Sequence, residues 1–156
     1  MARLVVLLGR SPGVLRDVIC SLLARGVVLD KVYVVGTRDS LFDEAEKVLH
    51  ACPCPQGNAK TIPLHKIILP YNDIDSFEKL THFRTTIRAL ANPNTIVDVT
   101  GGRKLMSVGA AIEALQVGVQ VSYLLVPPQE LERLKNCKPD ENPCTCTTQN
   151  PKHITF

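Results

Sequence analysis

The sequence predicts an α/β fold, a three-layer Rossmann-like sandwich with a mainly parallel sheet of five to six strands. Short runs of valine, leucine and isoleucine alternate with longer segments whose apolar residues recur at helical spacing. The short runs are apolar throughout, as expected where helices cover both faces of a parallel sheet. Turns containing glycine or proline separate the segments. The resulting β-α-β-α-β-α-β-α-β order favours right-handed crossovers.

Each element follows from residue type and spacing. Residues 4–8 are a continuous run of valine and leucine, which predicts a first buried strand. Residues 14–23 carry an apolar stripe at helical spacing, and Gly26 is suited to ending that helix. The later strands are expected at residues 31–36, 62–69, 95–99, 120–126 and, as a terminal edge strand, 153–156. The later helices are expected at residues 41–49, 74–91 (with Phe77, Leu80, Arg84, Ile87 and Leu90 towards one side), 105–117 and 129–135.

The helix expected at residues 105–117 is unusually apolar. Only Ser107, Glu113 and Gln116 are strongly polar in it. Such a helix is buried on most faces, either in a core or at a subunit interface. Residues 1–126 are therefore expected to form the α/β domain, and residues 127–156 a short, polar C-terminal extension that carries cysteines.

Composition narrows the class of protein. A chain of 156 residues with 45 % hydrophobic and 21 % charged residues can form one domain with a full core. The formal net charge of +3 is too small to indicate DNA binding by bulk charge. No apolar run is long enough to cross a membrane, and residues 1–10 lack the length and cleavage site of a signal peptide. A cytoplasmic protein is expected.

Six cysteines leave several chemistries open. Cys20 lies in a helical pattern and is expected to be a buried small apolar residue. The other cysteines form two groups, Cys52 with Cys54, and Cys137 with Cys144 and Cys146. Neither close pair has the spacing usual in zinc sites. A disulfide that joins the two groups, free thiols and metal binding all remain open, and a hyperthermophilic host would favour the disulfide.

Two turns follow the first and fourth strands, residues 9–13 (GRSPG) and 100–104 (TGGRK). Ligands bind at the carboxyl ends of parallel strands, where neighbouring loops diverge. Glycines allow close backbone approach, and a helix N-terminus flanked by Arg103 and Lys104 suits a phosphate. A tight turn with exposed basic residues is the plainer alternative. Asp98, beside the second turn, is expected to pin the loop or to act on a substrate proton.

Familiar cofactor motifs are absent from both turns. The first lacks the Gly-x-Gly-x-x-Gly of dinucleotide sites, and Pro12 removes a backbone donor. The second is too short for a Walker P-loop, and Leu105 stands where serine or threonine should follow the lysine. No His-x-Glu motif or carboxylate cluster indicates a catalytic metal, and the four histidines are scattered. Neither a cofactor nor a metal is expected.

Residues 1–126 resemble the CRISPR-associated Rossmann fold (CARF) domain. The resemblance rests on residues 8–14 (LGRSPGV) and on residues 98–104 (DVTGGRK) with the helix that follows them. The second segment is the more specific, because family members carry a Thr-Gly-Gly-x-Lys-like turn there. The resemblance does not extend to the cysteines of residues 137–146.

The resemblance implies a homodimer that binds a cyclic oligoadenylate across its interface. Such ligands are rings of four or six AMP units, made as second messengers in type III CRISPR defence, and a two-fold site suits an even-numbered ring. No segment is left for an effector domain. A stand-alone CARF protein resembles a ring nuclease, so a metal-independent enzyme acting on cyclic tetra-adenylate is expected, with no DNA and no membrane as partner.

The resemblance also implies residue roles. Ser11 and Lys104 are the expected catalytic residues for attack of a ribose 2′-hydroxyl on the adjacent phosphorus. Arg10 and Arg103 are inferred to anchor phosphates. The expected ligand-binding residues are Gly9, Arg10, Pro12, Thr100, Gly101, Gly102 and Arg103. A non-catalytic CARF sensor and a phosphate- or nucleotide-binding protein unrelated to CRISPR are the alternatives.

Overall fold

The computed structural model describes residues 1–149 and 151–156. The strands are Ala2–Leu8 (β1), Leu29–Gly36 (β2), Leu64–Ile68 (β3), Thr95–Asp98 (β4), Gln120–Leu125 (β5) and Lys152–Thr155 (β6). The α-helices are Val14–Ala24 (α1), Phe42–Ala51 (α2), Phe77–Leu90 (α3), Lys104–Gln116 (α4) and Pro128–Lys135 (α5). Two 3₁₀ turns lie at Ala59–Thr61 and Pro143–Cys146.

The strands form one six-stranded sheet in the order β3-β2-β1-β4-β5-β6. Strands β1 to β5 are parallel, and β6 returns antiparallel to β5. The predicted three-layer α/β class and the terminal edge strand are confirmed. The central position of β1 explains why its residues are apolar without alternation, because both of its faces are covered.

Alternate residues of β1 enter two hydrophobic cores. Leu4, Val6 and Leu8 pack in the core on the α1 and α2 side of the sheet. Val5 and Leu7 pack on the opposite side, with residues of α3 and α4. The sheet therefore holds a helix layer on each face.

The predicted inner face of the third helix is wrong at its first residue. Phe83 and Ile87 are buried, whereas Phe77 is 83 % exposed. Phe77 lies six residues before Phe83, which rotates it by about 240° around the helix axis. It therefore points away from the sheet that Phe83 contacts.

Helix α4 is buried on one face only. Met106, Gly109 and Ala110 lie on the buried face, and a Cβ on Gly109 would lie only 3.3 Å from Leu80 Cδ1 of α3. The opposite face carries exposed apolar side chains that we call the α4 stripe: Leu105, Val108, Ile112 and Leu115, which are 41–57 % exposed. The expected burial on most faces is thus not met within one protomer.

Glu113 is a buried acid on α4 with two arginine partners on α3. Arg84 Nε donates to its carboxylate at 2.7 Å and Arg88 Nε at 2.9 Å. These hydrogen bonds, above all those from Arg88, lower the pKa of the Glu113 carboxyl. The ion pairs fix α3 against α4 and satisfy the one strongly acidic side chain that the apolar helix carries.

All six cysteines form disulfides: Cys20–Cys54, Cys52–Cys144 and Cys137–Cys146. Cys20 is buried as predicted, but its expected role as a free apolar residue is wrong, because it is bonded to the loop after α2. The Cys52–Cys144 disulfide joins the two cysteine groups, which is one of the three alternatives that the sequence left open. Across the described ranges, no helix has the length and apolar character needed to span a membrane. The division of the chain at residue 126 stays a prediction.

Candidate functional site

The two glycine-containing turns lie side by side at the carboxyl ends of β1 and β4. These strands are neighbours in the sheet. After β1 the chain continues to β2 on one side, and after β4 it continues to β5 on the other side. The loops therefore diverge and leave a crevice between them, which is the usual ligand position in an open α/β sheet.

Glycines allow the two turns to touch through their backbones. A Cβ on Gly9 would lie 3.2 Å from both Cα and N of Gly102. A Cβ on Gly101 would lie 2.2 Å from the carbonyl oxygen of Leu7. Gly102 has a φ of +80°, which side chains rarely adopt. Gly101 and Gly102 therefore require glycine, and a side chain at position 9 would press on the second turn.

Asp98 pins the second turn. Its Oδ1 accepts from the Thr100 backbone N–H at 3.0 Å, and its Oδ2 accepts from Ser122 Oγ at 2.7 Å. The carboxyl is fully buried, and this burial raises its pKa. Of the two predicted roles, loop anchoring is therefore confirmed. Thr100 is also tied down, because its Oγ1 accepts from the Leu124 backbone N–H at 2.8 Å.

The first turn is held by the loop after β2. Ser40 Oγ donates to the Leu8 carbonyl at 2.6 Å and accepts from the Thr37 N–H at 2.9 Å. The Leu41 N–H donates to the Gly9 carbonyl at 3.0 Å. Sequence analysis assigned no role to these residues. Their role depends on β2 lying beside β1 in the sheet, which the sequence pattern does not specify.

A cavity of about 330 Å³ opens where these loops meet. Its lining residues are Leu8, Gly9, Arg10, Thr37, Asp39, Ser40, Gly102, Arg103 and Met106. Gly9, Arg10, Gly102 and Arg103 are predicted ligand-binding residues that the structure brings to this one cavity. Residues 52–60, 127–149 and 151–156 contribute nothing to its lining.

Both arginines of the cavity contact aspartates, Asp39 in the lining and Asp73 beside it. Arg103 Nη1 lies 3.2 Å from Asp73 Oδ2, and Arg103 Nη2 lies 3.4 Å from Asp39 Oδ2. Arg10 Nη1 donates to the backbone carbonyl of Asp39 at 3.3 Å. Both aspartates come from loops after β2 and β3 and were missed by sequence analysis. All these side chains are substantially exposed, so a competing anion can exchange with the carboxylates at small energetic cost.

Ser11 and Lys104 flank the contact between the turns. Each lies two residues beyond the glycine of its own turn, Gly9 or Gly102, and each is exposed. Lys104 is the first residue of α4, whose N-cap Arg103 makes no side-chain capping bond. The N–H groups of that first turn thus have no acceptor from the N-cap side chain and suit an anion.

The remaining predicted site residues differ in exposure. Pro12 is buried at the start of α1, and Thr100 is partly buried. Pro12 therefore shapes the turn, while the Thr100 hydroxyl is already engaged. Within the described part of the chain, no three His, Cys, Asp or Glu side chains are grouped as metal ligands.

The chain is similar over its whole length to a curated protein. It is 28 % identical over 177 aligned positions to the CRISPR system ring nuclease SSO2081 of Saccharolobus solfataricus, covering 100 % of this chain and 99 % of that protein. The resemblance to CARF ring nucleases is confirmed. No family model matches the chain.

Solved structures share the fold. Enterococcus italicus Csm6 bound to cyclic hexa-2′-fluoro-hexa-dAMP superposes with a TM-score of 0.57 at 12 % identity, over 83 % of this chain and 35 % of Csm6. The Vibrio cholerae protein VC1899 superposes with a TM-score of 0.56 at 14 % identity, over 78 % of this chain and 30 % of that protein. The chain thus spans about a third of each structure, and identities this low show the fold alone.

Proposed function

We propose that this protein is a ring nuclease that opens cyclic tetra-adenylate, the second messenger of type III CRISPR defence, into linear di-adenylate. The observation that carries the proposal is the backbone contact between Gly9 and Gly102. It puts the turns of Ser11 and Lys104 at one cavity that two arginines line. The full-length similarity to a ring nuclease supports this reaction over others.

The proposed reaction is an internal transesterification that needs no water and no metal. A ribose 2′-hydroxyl loses its proton and attacks the adjacent phosphorus in line. The P–O5′ bond breaks, and the leaving 5′-oxygen takes up a proton. The products end in a 2′,3′-cyclic phosphate and a 5′-hydroxyl. Two such cuts convert a ring of four AMP units into two linear dimers.

The chain's contribution is positioning and charge stabilisation. Ser11 hydrogen-bonds the attacking hydroxyl or the phosphate and holds the ribose. Lys104 neutralises charge on the phosphorane or protonates the leaving oxygen. The backbone N–H groups of Gly101 and Gly102 approach the phosphate closely, since no side chain intervenes.

Arginine side chains anchor the neighbouring phosphates. Arg10 and Arg103 line the cavity, and a guanidinium can bind a phosphate through two parallel hydrogen bonds. Arg103 must first exchange Asp39 and Asp73 for the ligand. This exchange makes ligand affinity depend on the aspartates as well as on the arginines.

A homodimer through the α4 stripe completes the proposed site. The stripe is a contiguous apolar surface exposed in the protomer, which is typical of an interface. Leu105, its first member, follows Lys104 directly, so Lys104 borders an interface built on the stripe. A ring of four identical units can adopt the same two-fold symmetry.

The test is incubation of the purified protein with cyclic tetra-adenylate in EDTA, followed by chromatography and mass spectrometry. We expect linear di-adenylate with a cyclic phosphate end. Lys104→Ala should lower the cleavage rate at least about 100-fold, since it removes transition-state charge stabilisation, and should weaken binding less. Lys135→Ala, an exposed lysine of α5, is the matched control. Full activity in Lys104→Ala would show that the proposed site is wrong.

A non-catalytic sensor of cyclic oligoadenylate is the second candidate. It is favoured by the chemistry of the lining residues, among which no histidine is present to act as a general base. In that case the ring would co-elute intact with the protein, and the signal would pass to a partner protein. Failure to bind the ring of four would direct the test to the ring of six.

A further inference from the structure

Behind the first turn, residues of the C-terminal region pack directly against Gly13. A Cβ built on Gly13 would lie 1.6 Å from the carbonyl oxygen of Cys146 and 2.7 Å from its carbonyl carbon. Gly13 itself has ordinary right-handed helical angles, with φ −78° and ψ −13°. Alanine is therefore excluded at this position by the packed segment and not by the local backbone.

A buried acid of α1 holds the same segment. Asp17 Oδ2 accepts from the Thr148 backbone N–H at 2.9 Å, and both residues are buried. Asp17 Oδ1 accepts from Arg16 Nη1 at 3.1 Å. Arg16 also donates to the carbonyls of Cys52 and Pro53, each at 3.1 Å. The first turns of α1 thus contact both the C-terminal segment and the loop after α2.

Helix α5 supports the segment from its outer side. Arg133 donates to the carbonyls of Thr145 and Thr147 at 2.7 and 2.9 Å. Glu130 accepts from the Thr148 hydroxyl at 2.5 Å and from the Gln149 N–H at 3.0 Å. The segment from residue 143 to residue 149 is therefore bonded on both sides, although it is neither α-helix nor strand.

Disulfides lock this arrangement. Cys144 is bonded to Cys52, 92 residues away, and Cys146 is bonded to Cys137. Cys146 and Cys52 are both buried. The Cys52–Cys144 bond is the covalent link between the segment and the α/β body that Arg16 also contacts.

We propose that residues 143–149, which we call the C-terminal brace, position Ser11 for the cleavage reaction, and that the Cys52–Cys144 and Cys137–Cys146 disulfides maintain this position. Gly13 and Asp17 are the positioning residues through which the brace acts. The inference rests on the proposed function, because it takes Ser11 as a reacting group. It adds to that function a dependence on the oxidation state of four cysteines.

The brace acts on one of the two turns. The Gly9 end of the first turn is held by Ser40 and Leu41, and the Lys104 turn is held by Asp98, through hydrogen bonds that involve no brace residue. Release of the brace should therefore loosen Ser11 and leave Arg103, the phosphate anchor of the second turn, in place. In kinetic terms kcat falls and KM changes little.

The first test compares the oxidised protein with protein reduced by dithiothreitol. Each disulfide takes two electrons and two protons from the dithiol, which closes to its own cyclic disulfide. Amide hydrogen exchange should increase in peptides covering residues 9–18 and stay unchanged in those covering residues 2–8. With cyclic tetra-adenylate, kcat should fall about tenfold or more, because a reacting group is misplaced, with KM within about threefold.

Paired variants separate the brace from a general effect of reduction. Cys52→Ser with Cys144→Ser, and Cys137→Ser with Cys146→Ser, should reproduce the loss in the oxidised state. Cys20→Ser with Cys54→Ser is the control, because that bond contains no brace residue. Gly13→Ala should lower kcat in the disulfide-bonded protein and have a much smaller effect once Cys52 and Cys144 are serine, since the obstructing carbonyl can then move.

The outcomes distinguish this inference from the proposed function. Unchanged exchange at residues 9–18 after complete reduction, verified by mass, would overturn the brace whether or not the ring is cleaved. Increased exchange with unchanged kcat would overturn the positioning role. If the oxidised protein cleaves no ring, the proposed function fails, while the exchange result still reports whether the brace holds the turn.

Discussion

The guanidinium of Arg103 lies 3.2 Å from Oδ2 of Asp73, so a residue predicted to anchor phosphate is already paired with an acid. Both side chains are 46 % exposed, which makes the pair weak. The pair matters because a phosphate that enters the cavity must compete with the Asp73 carboxylate for the guanidinium of Arg103. The aspartate thus sets how readily Arg103 becomes available to an anion.

Asp73→Asn should tighten binding of cyclic tetra-adenylate about threefold to tenfold, because Arg103 loses a competing charge. The free energy of unfolding should change by less than about 0.5 kcal/mol, as for other exposed ion pairs. Calorimetric titration measures the affinity. Asp75→Asn is the control, since Asp75 pairs with Lys79 outside the cavity. Equal affinities in the two variants would contradict the competition.

Gly102→Ala should abolish ligand binding, because the added Cβ would press on Leu7 and Met106 and so displace the second turn from the first. Gly102 has a φ of +80° and Gly118 a φ of +77°, but only at Gly102 would a Cβ meet neighbours, with Leu7 Cβ at 3.3 Å. Both substitutions should lower the free energy of unfolding by about 1 kcal/mol through backbone strain. Urea unfolding and calorimetric titration check the pair. Equal loss of binding in Gly118→Ala would exclude a local effect of the turn contact.

Leu115→Glu should dissociate the proposed dimer. Leu115 is 57 % exposed on the α4 stripe, and a carboxylate there would have to be buried without a partner in the interface. Leu131 of α5 is 52 % exposed and lies outside the stripe, so Leu131→Glu is the matched control. Sedimentation analysis should give a monomer for the first variant alone. A dimer that survives Leu115→Glu would place the interface elsewhere.

Asp17 should contribute a fall in the free energy of unfolding as the pH rises from about 4 to about 7. Burial raises the pKa of its carboxyl from 3.8 to about 7, against the opposing effects of the Thr148 N–H and Arg16. Between these values the folded state holds a proton that the unfolded state releases, so the free energy of unfolding decreases with increasing pH. The raised pKa of Asp17 therefore stabilises the folded state fully below pH 3.8, and this stabilisation is lost above about pH 7.

Asp17→Asn should remove this dependence. Between pH 4 and pH 7, the difference in the free energy of unfolding between wild type and variant should decline by at most about 4 kcal/mol. This is the free energy that corresponds to a pKa difference of about three between the unfolded and the folded state. Urea unfolding at intervals from pH 4 to 8, with the disulfides intact, measures it. Parallel curves for the two proteins would show that Asp17 titrates alike in the folded and unfolded states.

The parts of the site that lie within one short stretch of sequence could be predicted from that stretch alone. Gly9 and the Gly101-Gly102 pair each follow an apolar run, and strand-to-helix turns at the carboxyl edge are recognisable from such a pattern. Asp39 and Asp73 were missed because their role depends on the order of the strands. Periodicity along the chain does not specify that order.

The disulfide partners were beyond prediction for a related reason. Six cysteines allow fifteen pairings, and the observed one joins residues as far as 92 positions apart. The helical pattern around Cys20 predicted an ordinary core residue, because its partner Cys54 lies in a loop without periodic structure. The wrongly predicted inner face at Phe77 has a local cause, since its position around the helix axis of α3 differs from that of Phe83.

Strand β6 pairs with β5, so β3 and β6 are the two edges of the sheet within the described residues. Such an edge can add strands from other molecules and so begin aggregation. Strand β3 has five residues, follows Pro63, and carries Lys66, whose ammonium pairs with Glu46 at 2.6 Å. A strand as short and charged as β3 is a poor template for another chain, so growth into fibrils is discouraged at this edge of the sheet.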